Sequence, residues 1–300
     1  MGKIWALALA VIVLAVTPAS AQPQQDPFNG QFGAVSIAPP APEAARLSKL
    51  MGDALNNLAP QRHGRQDVYL IVASFWSEPV FEREATQAEA LLREHFGVEA
   101  DHSILLSAGT GAGAQRTYPA ATPENVAAAI GQVGSVIDPN EDLVVVFFTS
   151  HGSPDGSMAM RETNRLGGAL RPANMRDLLA QAGITHRVVI VSACFSGAFI
   201  APLMDDNTIV LTAAAPDRTS FGCQPSREWT FFGDAYFGHA LRGGADLVGG
   251  FDQAKTLIEQ WEREQNLSPP SNPQRFVGAN AQAMVQRAER DAASSRGRRR

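Results

Sequence analysis

From Asp67 onward the apolar positions fall into short continuous runs that alternate with stretches of helical spacing. Val68 to Ala73 is a run rich in β-formers, and Glu82 to Phe96 then places Ala85, Ala88, Leu91, Leu92 and Phe96 on one helical face. Ser103 to Leu106 reads as a second short strand. Thr122 followed by Pro123 is a cap and first-turn signal for a helix reaching about Ser135. Leu143 to Phe148 is apolar at every position, the pattern of a central parallel strand covered on both faces. A helix over Ala173 to Ala182 stops at Gly183, strands follow at Arg187 to Val191 and Thr208 to Thr212, and Phe251 to Glu264 reads as an amphipathic surface helix. Strands alternating with helices require crossovers. The expected class is therefore α/β, an open and mostly parallel central sheet with helices on both faces. In such sheets chemistry gathers beyond the carboxyl ends of the strands.

The flanks follow different patterns. Lys3, the apolar run Ile4 to Val16 and the small-residue triplet Ala19-Ser20-Ala21 have the form of a cleaved export signal over residues 1–21. The run would rise only about 20 Å as a helix, short of the roughly 30 Å hydrocarbon core. Residues 22–66 are a proline-rich leader or linker in which Glu43 to Leu58 could form a weak helix, and residues 281–300 are a basic tail. With 300 residues, 45% hydrophobic and 18% charged, the chain can bury a proper core. Its net charge of −5 disfavours a general nucleic-acid binder. The expected protein is exported, periplasmic or secreted, without stable membrane insertion once the signal is removed.

Two strand ends carry reactive groups. The strand Leu143 to Phe148 runs into Thr149-Ser150-His151-Gly152, and the strand Arg187 to Val191 runs into Ser192-Ala193-Cys194-Phe195-Ser196-Gly197. Each delivers one reactive side chain with a glycine nearby that permits close backbone approach. A free thiol is mostly protonated at neutral pH; a neighbouring imidazole takes its proton or, as imidazolium, favours the thiolate. The backbone N–H groups left open beside the glycines could hold a developing oxyanion. With only two cysteines in an exported chain, a structural Cys194 to Cys223 disulfide is the competing reading. The remaining histidines, at 63, 95, 102, 186 and 239, have no matching context and read as surface or capping groups.

The segments "VVVFFTSHGSPDG" around His151 and "VVIVSACFSGAF" around Cys194 resemble the two catalytic segments of the legumain-like cysteine peptidases, relatives of caspases and of the GPI-anchor transamidase. "TAAAPDRTSFGC", "FFGDAY" and "SNPQRFVGAN" are similar to later stretches of that family, so the likeness covers about residues 67–280, the expected peptidase domain. The resemblance implies a caspase-like three-layer sandwich with His151 as general base and acid and Cys194 as nucleophile. Gly152 and Cys194 would supply the oxyanion-hole N–H groups, and no metal or organic cofactor would be needed. It implies protein or peptide substrates cut after Asn or Asp, with Arg83 and Asp234 at the positions of the pocket's charged residues. One departure is Ser192, which stands where the family enzyme has a glutamate two residues before the nucleophile; it is expected to line the pocket without that charge. Two alternatives stay open: a transpeptidase using the same acyl-enzyme, and a binding protein stapled by the disulfide.

Overall fold

The computed structural model describes residues 40–111, 114–162 and 165–298. The expected export signal and residues 22–39 of the leader lie outside them. Eight strands occur among the described residues. Six form one sheet: β1 (Val68–Ser74), β2 (Ser103–Ser107), β3 (Leu143–Thr149), β6 (Arg187–Ser192), β7 (Thr208–Thr212) and β8 (Gln274–Val277), in the order β2-β1-β3-β6-β7-β8. All neighbours are parallel except β8, which returns antiparallel to β7. The other two, β4 (Met158–Glu162) and β5 (Arg165–Leu170), make a separate antiparallel hairpin.

The alternating side chains of the central strands feed two cores. On one face Tyr69, Ile71, Val144, Val146, Phe148, Val189 and Val191 pack against α1 (Ala41–Asn56), α3 (Pro123–Val136) and α4 (Pro172–Gln181). On the other, Leu70, Val72, Val145, Phe147, Val188 and Ile190 pack against α2 (Pro79–Phe96), α5 (Leu247–Glu264) and α6 (Ala279–Arg298). The result is a three-layer α/β sandwich. Every residue of β3 is buried, as its continuous apolar run requires, and each such Val or Phe contributes about 1.5–3 kcal/mol of burial.

Helix ends follow local chemistry. The Thr122 side chain accepts from the Asn125 N–H to open α3, and Gly97 closes α2 at φ 65°, where a side chain would be strained. Because β1 leads to β2 on one side while β3 lies on its other side, with α2 and α3 crossing opposite faces, the strand order reverses at β1 and β3. The crevice beyond their carboxyl ends is where such a sheet accommodates a ligand.

Both flanks pack more firmly than a linker and a tail require, although a helix within residues 43–58 is already expected from the sequence. Residues 41–56 form a helix whose Leu47 and Met51 are buried, so packing already reaches into the segment read as linker. The basic tail is not separate either: α6 runs from 279 to 298 and buries Ala281, Val285, Ala288 and Ala292 beside α2. That apolar stripe consists mostly of alanine among arginines, which hides it from a hydropathy scan although the spacing is helical. His102 also departs from a surface reading, being buried with its ring 4.8 Å from that of Tyr69.

Candidate active site

Parallel register brings the two reactive strand ends together. Thr149 pairs with Ser192, the last residues of β3 and β6, and the Ser150 N–H donates to the Ser192 carbonyl at 3.1 Å. His151 and Cys194 each lie two residues past that pair, on adjacent strands spaced about 4.8 Å apart. Gly152 lies so close to the Cys194 backbone that a Cβ added there would be 1.9 Å from the Cys194 carbonyl oxygen. The bare glycine is what allows the two loops to touch.

The imidazole is boxed in. Trp76, just past β1, and Phe81, in the first turn of α2, meet it edge-on at centroid distances of 4.9 and 5.0 Å. The Glu78 carboxylate lies 3.8 Å from His151 Nε2. Burial pushes the His151 pKa below its ordinary value, and the Glu78 charge opposes that only in part. A ring depressed in this way is neutral at pH 7 and can accept a proton.

The thiol is placed by a sharp turn. Phe195, directly after Cys194, sits in the left-handed region at φ 57°, a costly conformation for a bulky residue, and its N–H donates to the Arg218 carbonyl at 2.7 Å. Cys194 Sγ accepts from the Ser220 N–H at 3.3 Å and lies 3.7 Å from the Ser220 hydroxyl. Among the described residues no backbone carbonyl accepts from the Gly152 or Cys194 N–H. Both cysteines are free thiols, so the disulfide that would support a stapled binding protein is not formed. Burial and the neighbouring Cys194 push the Cys223 thiol up.

The expected pocket residues meet different fates. Arg83 directs its guanidinium to the Pro225 carbonyl at 2.5 Å and the Arg227 carbonyl at 2.6 Å, so it holds the loop over residues 225–228. Asp234 opens the π-helical segment Asp234–Leu241 and faces the Arg227 guanidinium at 3.7 Å and His239 at 3.6 Å. The two thus meet the same residue, Arg227, one at its backbone and one at its side chain. Ser192 does not line a pocket. It is 2% exposed, with its hydroxyl 3.1 Å from Thr230 Oγ1 and 3.3 Å from Glu84 Oε1. The reason is the period of two in a strand: Ser192 continues the alternation of Val188 and Ile190, which face the α2 layer, so its hydroxyl turns into that interior.

Glu78, Trp76, Ser220 and Glu84 were not singled out from sequence. The first two follow β1 directly, and their closeness to His151 follows from β1 pairing with β3, which composition does not reveal. Among the described residues no group of three or more His, Cys, Asp or Glu could hold a metal ion, and no helix is long and apolar enough to cross a membrane.

The chain is similar in structure to caspase-1 from Spodoptera frugiperda, at 10% identity and TM-score 0.48 over 74% of this chain and 89% of that one. No curated protein matches its sequence. The model of the Peptidase C13 family matches residues 114–279, a span that includes His151, Cys194 and Asp234. The chain belongs to the Peptidase C13 family, the legumain family, and is a cysteine-type peptidase, a hydrolase.

Proposed function

We propose that the protein is an exported endopeptidase that cuts after Asn or Asp through a thioacyl-enzyme formed by Cys194 and His151. The observation that carries this reading is the β3–β6 register, which brings both side chains to the same edge of the sheet at equal distance past a paired position. The neutral imidazole takes the Sγ proton, and the thiolate attacks the scissile carbonyl carbon. The oxyanion that forms is held by the N–H groups of Gly152 and Cys194. As the C–N bond breaks, His151 returns the proton to the leaving amine, then deprotonates a water that hydrolyses the thioester.

Glu78 and the two aromatic rings orient the imidazole. Arg83 and Asp234 provide one donor group and one acceptor group near the loop at 225–228, a combination suited to a carboxamide, which both donates and accepts. Residues 1–21 direct export and leave a mature chain beginning near Gln22.

The decisive experiment pairs labelling with turnover. Iodoacetamide should modify Cys194 rapidly in the mature protein and more slowly in His151→Ala, and peptides with Asn or Asp at the scissile position should be cut in preference to their Gln and Ala counterparts. Slow labelling of Cys194, or cleavage indifferent to that residue, overturns the assignment. Product release with an added amine captured at the new carboxyl end would instead reveal transpeptidation. An intact Met1 on the exported protein would rule out signal cleavage.

A further inference from the structure

Beneath the reacting pair lies a carboxylate that acyl transfer does not use. Glu84 projects from the first half of α2, is completely buried, and meets no cationic side chain among the described residues. Its oxygens are satisfied by three hydroxyls instead. Thr149 Oγ1 donates to Oε2, Thr230 Oγ1 donates to Oε1 at 2.6 Å, and Ser192 Oγ donates to the same oxygen at 3.3 Å. Space for it depends on Gly233, where an added Cβ would lie 2.0 Å from Glu84 Oε1.

These three donors are not scattered. Thr149 ends β3, two residues before His151. Ser192 ends β6, two residues before Cys194, and is the register partner of Thr149. Thr230 caps the turn that leads through Gly233 into Asp234. One carboxylate therefore bridges the strand that carries the imidazole, the strand that carries the thiol and the segment that carries the expected pocket acid. A buried carboxylate is a costly way to fill space, since a leucine or methionine would pack there without desolvation.

We propose that Glu84 is a positioning residue of the acyl-transfer site, which fixes the separation of His151 and Cys194 by accepting hydroxyl donors from both strand ends and anchors the Asp234 segment through Thr230. The proposal rests on the reading of His151 and Cys194 as the reacting pair. Glu84 never touches substrate; it acts through the strands. Around it β3 and β6 present only hydroxyls, the segment 229–233 presents Trp229, Thr230 and the bare Gly233, and its neighbour Arg83 turns away to the 225–228 loop. The Cys223 thiol, pushed up chiefly by burial and by Cys194, also feels the Glu78 charge and, least of all, the Glu84 charge. Burial lifts the Glu84 carboxyl to about 7, against the pull of the three hydroxyls. Three donors converge well on an ionised carboxylate, whereas protonation forces one of them to turn away. The tie is complete above neutrality and loosened below it.

The test compares the mature wild type with Glu84→Gln, which keeps the volume and removes the charge. Three quantities are followed from pH 5 to 9: the melting temperature, the iodoacetamide rate at Cys194 located by mass spectrometry, and kcat and KM for a peptide cut after Asn. The expected result is a folded variant with kcat lowered about ten- to a hundredfold and KM within about threefold. Its labelling and turnover profiles lose the inflection that the wild type shows near pH 7. Ser192→Ala, which leaves the carboxylate in place and removes one strand's tie, gives a smaller fall in kcat and decides the matter if Glu84→Gln does not fold. Wild-type kcat and profiles in the variant, with or without a lower melting temperature, overturn the proposal. A wild type whose Cys194 labels slowly, or which survives Cys194→Ala with full activity, overturns the peptidase reading instead.

Discussion

The two halves of the site are built by different means. His151 and Cys194 stand just past the ends of β3 and β6, two largely buried strands paired without interruption from Val144 and Arg187 to Thr149 and Ser192. The stretch from Ser220 to Asp234 that faces them is irregular until its last few residues and is held by long-range polar ties: Arg83 to the Pro225 and Arg227 carbonyls, Glu84 to Thr230, and the Ser220 N–H to Cys194 Sγ. The core places the chemistry, and side chains reaching from α2 place the wall. Changes to the first half should therefore erase turnover, while changes to the second should retune it.

The largest effect is expected at the nucleophile. Cys194→Ala removes the attacking atom and should lower kcat by about 10⁴-fold or more. The melting temperature should stay within a few degrees, because the side chain is only partly buried and adds little to either core. His151→Ala should fall in the same range. If the melting temperature collapses together with activity, reactive groups and scaffold are not separable in this way.

Gly152→Ala comes next. The added methyl would meet the Cys194 carbonyl oxygen at 1.9 Å, so the two loops must move apart and displace the proposed oxyanion donors. Loss of one such donor typically lowers kcat by about 10²–10³-fold, and steady-state kinetics on a purified, folded variant would measure it. An activity near that of the wild type would show that the strand ends have more room than their register implies.

The fold was legible because it is written in local patterns. Leu143 to Phe148 announces a two-sided strand, and Thr122-Pro123 announces a helix start. The reactive groups were legible for the same reason, each following an apolar run and standing beside a glycine. The wall was not. Arg83 and Glu84 look like ordinary surface charges at consecutive positions of an amphipathic helix, yet α2 turns Arg83 toward the 225–228 loop and Glu84 into the interior. Their partners lie more than 60 residues away, a separation that periodicity does not span. Ser192 shows the same limit, since its hydroxyl is tied to Glu84 from another element. The β4–β5 hairpin escaped notice because Met158 to Leu170 is short and interrupted by Arg161, Glu162 and Gly168.

Glu84 also couples the stability of the fold to pH. Its pKa is raised in the folded chain to about 7 from 4.5, so the stability it contributes is complete below pH 4.5 and is lost as the pH rises through 7. Relative to the wild type, Glu84→Gln should gain stability between pH 5 and 8, by on the order of 3 kcal/mol at the upper end. Thermal melts at paired pH values would show the gap widening; a constant gap would mean that the carboxylate does not titrate there. Arg83→Ala should do less. Freeing the 225–228 loop should raise KM about tenfold with kcat little changed, because the hydrogen bonds it breaks shape the wall without touching the reacting atoms.

The smallest effect separates the two halves most finely, because Glu78 belongs to neither. It stands at the residue before α2 without a side-chain cap hydrogen bond and lies 3.8 Å from His151 Nε2, with both side chains about one-third exposed. The carboxylate raises the His151 pKa against the depression caused by burial. In Glu78→Gln that opposition disappears, so the imidazole loses its proton at a lower pH and the acid limb of kcat/KM moves down with it. Exposed charges are screened by salt, so the displacement between the two profiles should shrink as ionic strength rises from about 0.01 to 1 M. A limb that moves upward, or a displacement indifferent to salt, would show that Glu78 reaches His151 through packing and not through its charge.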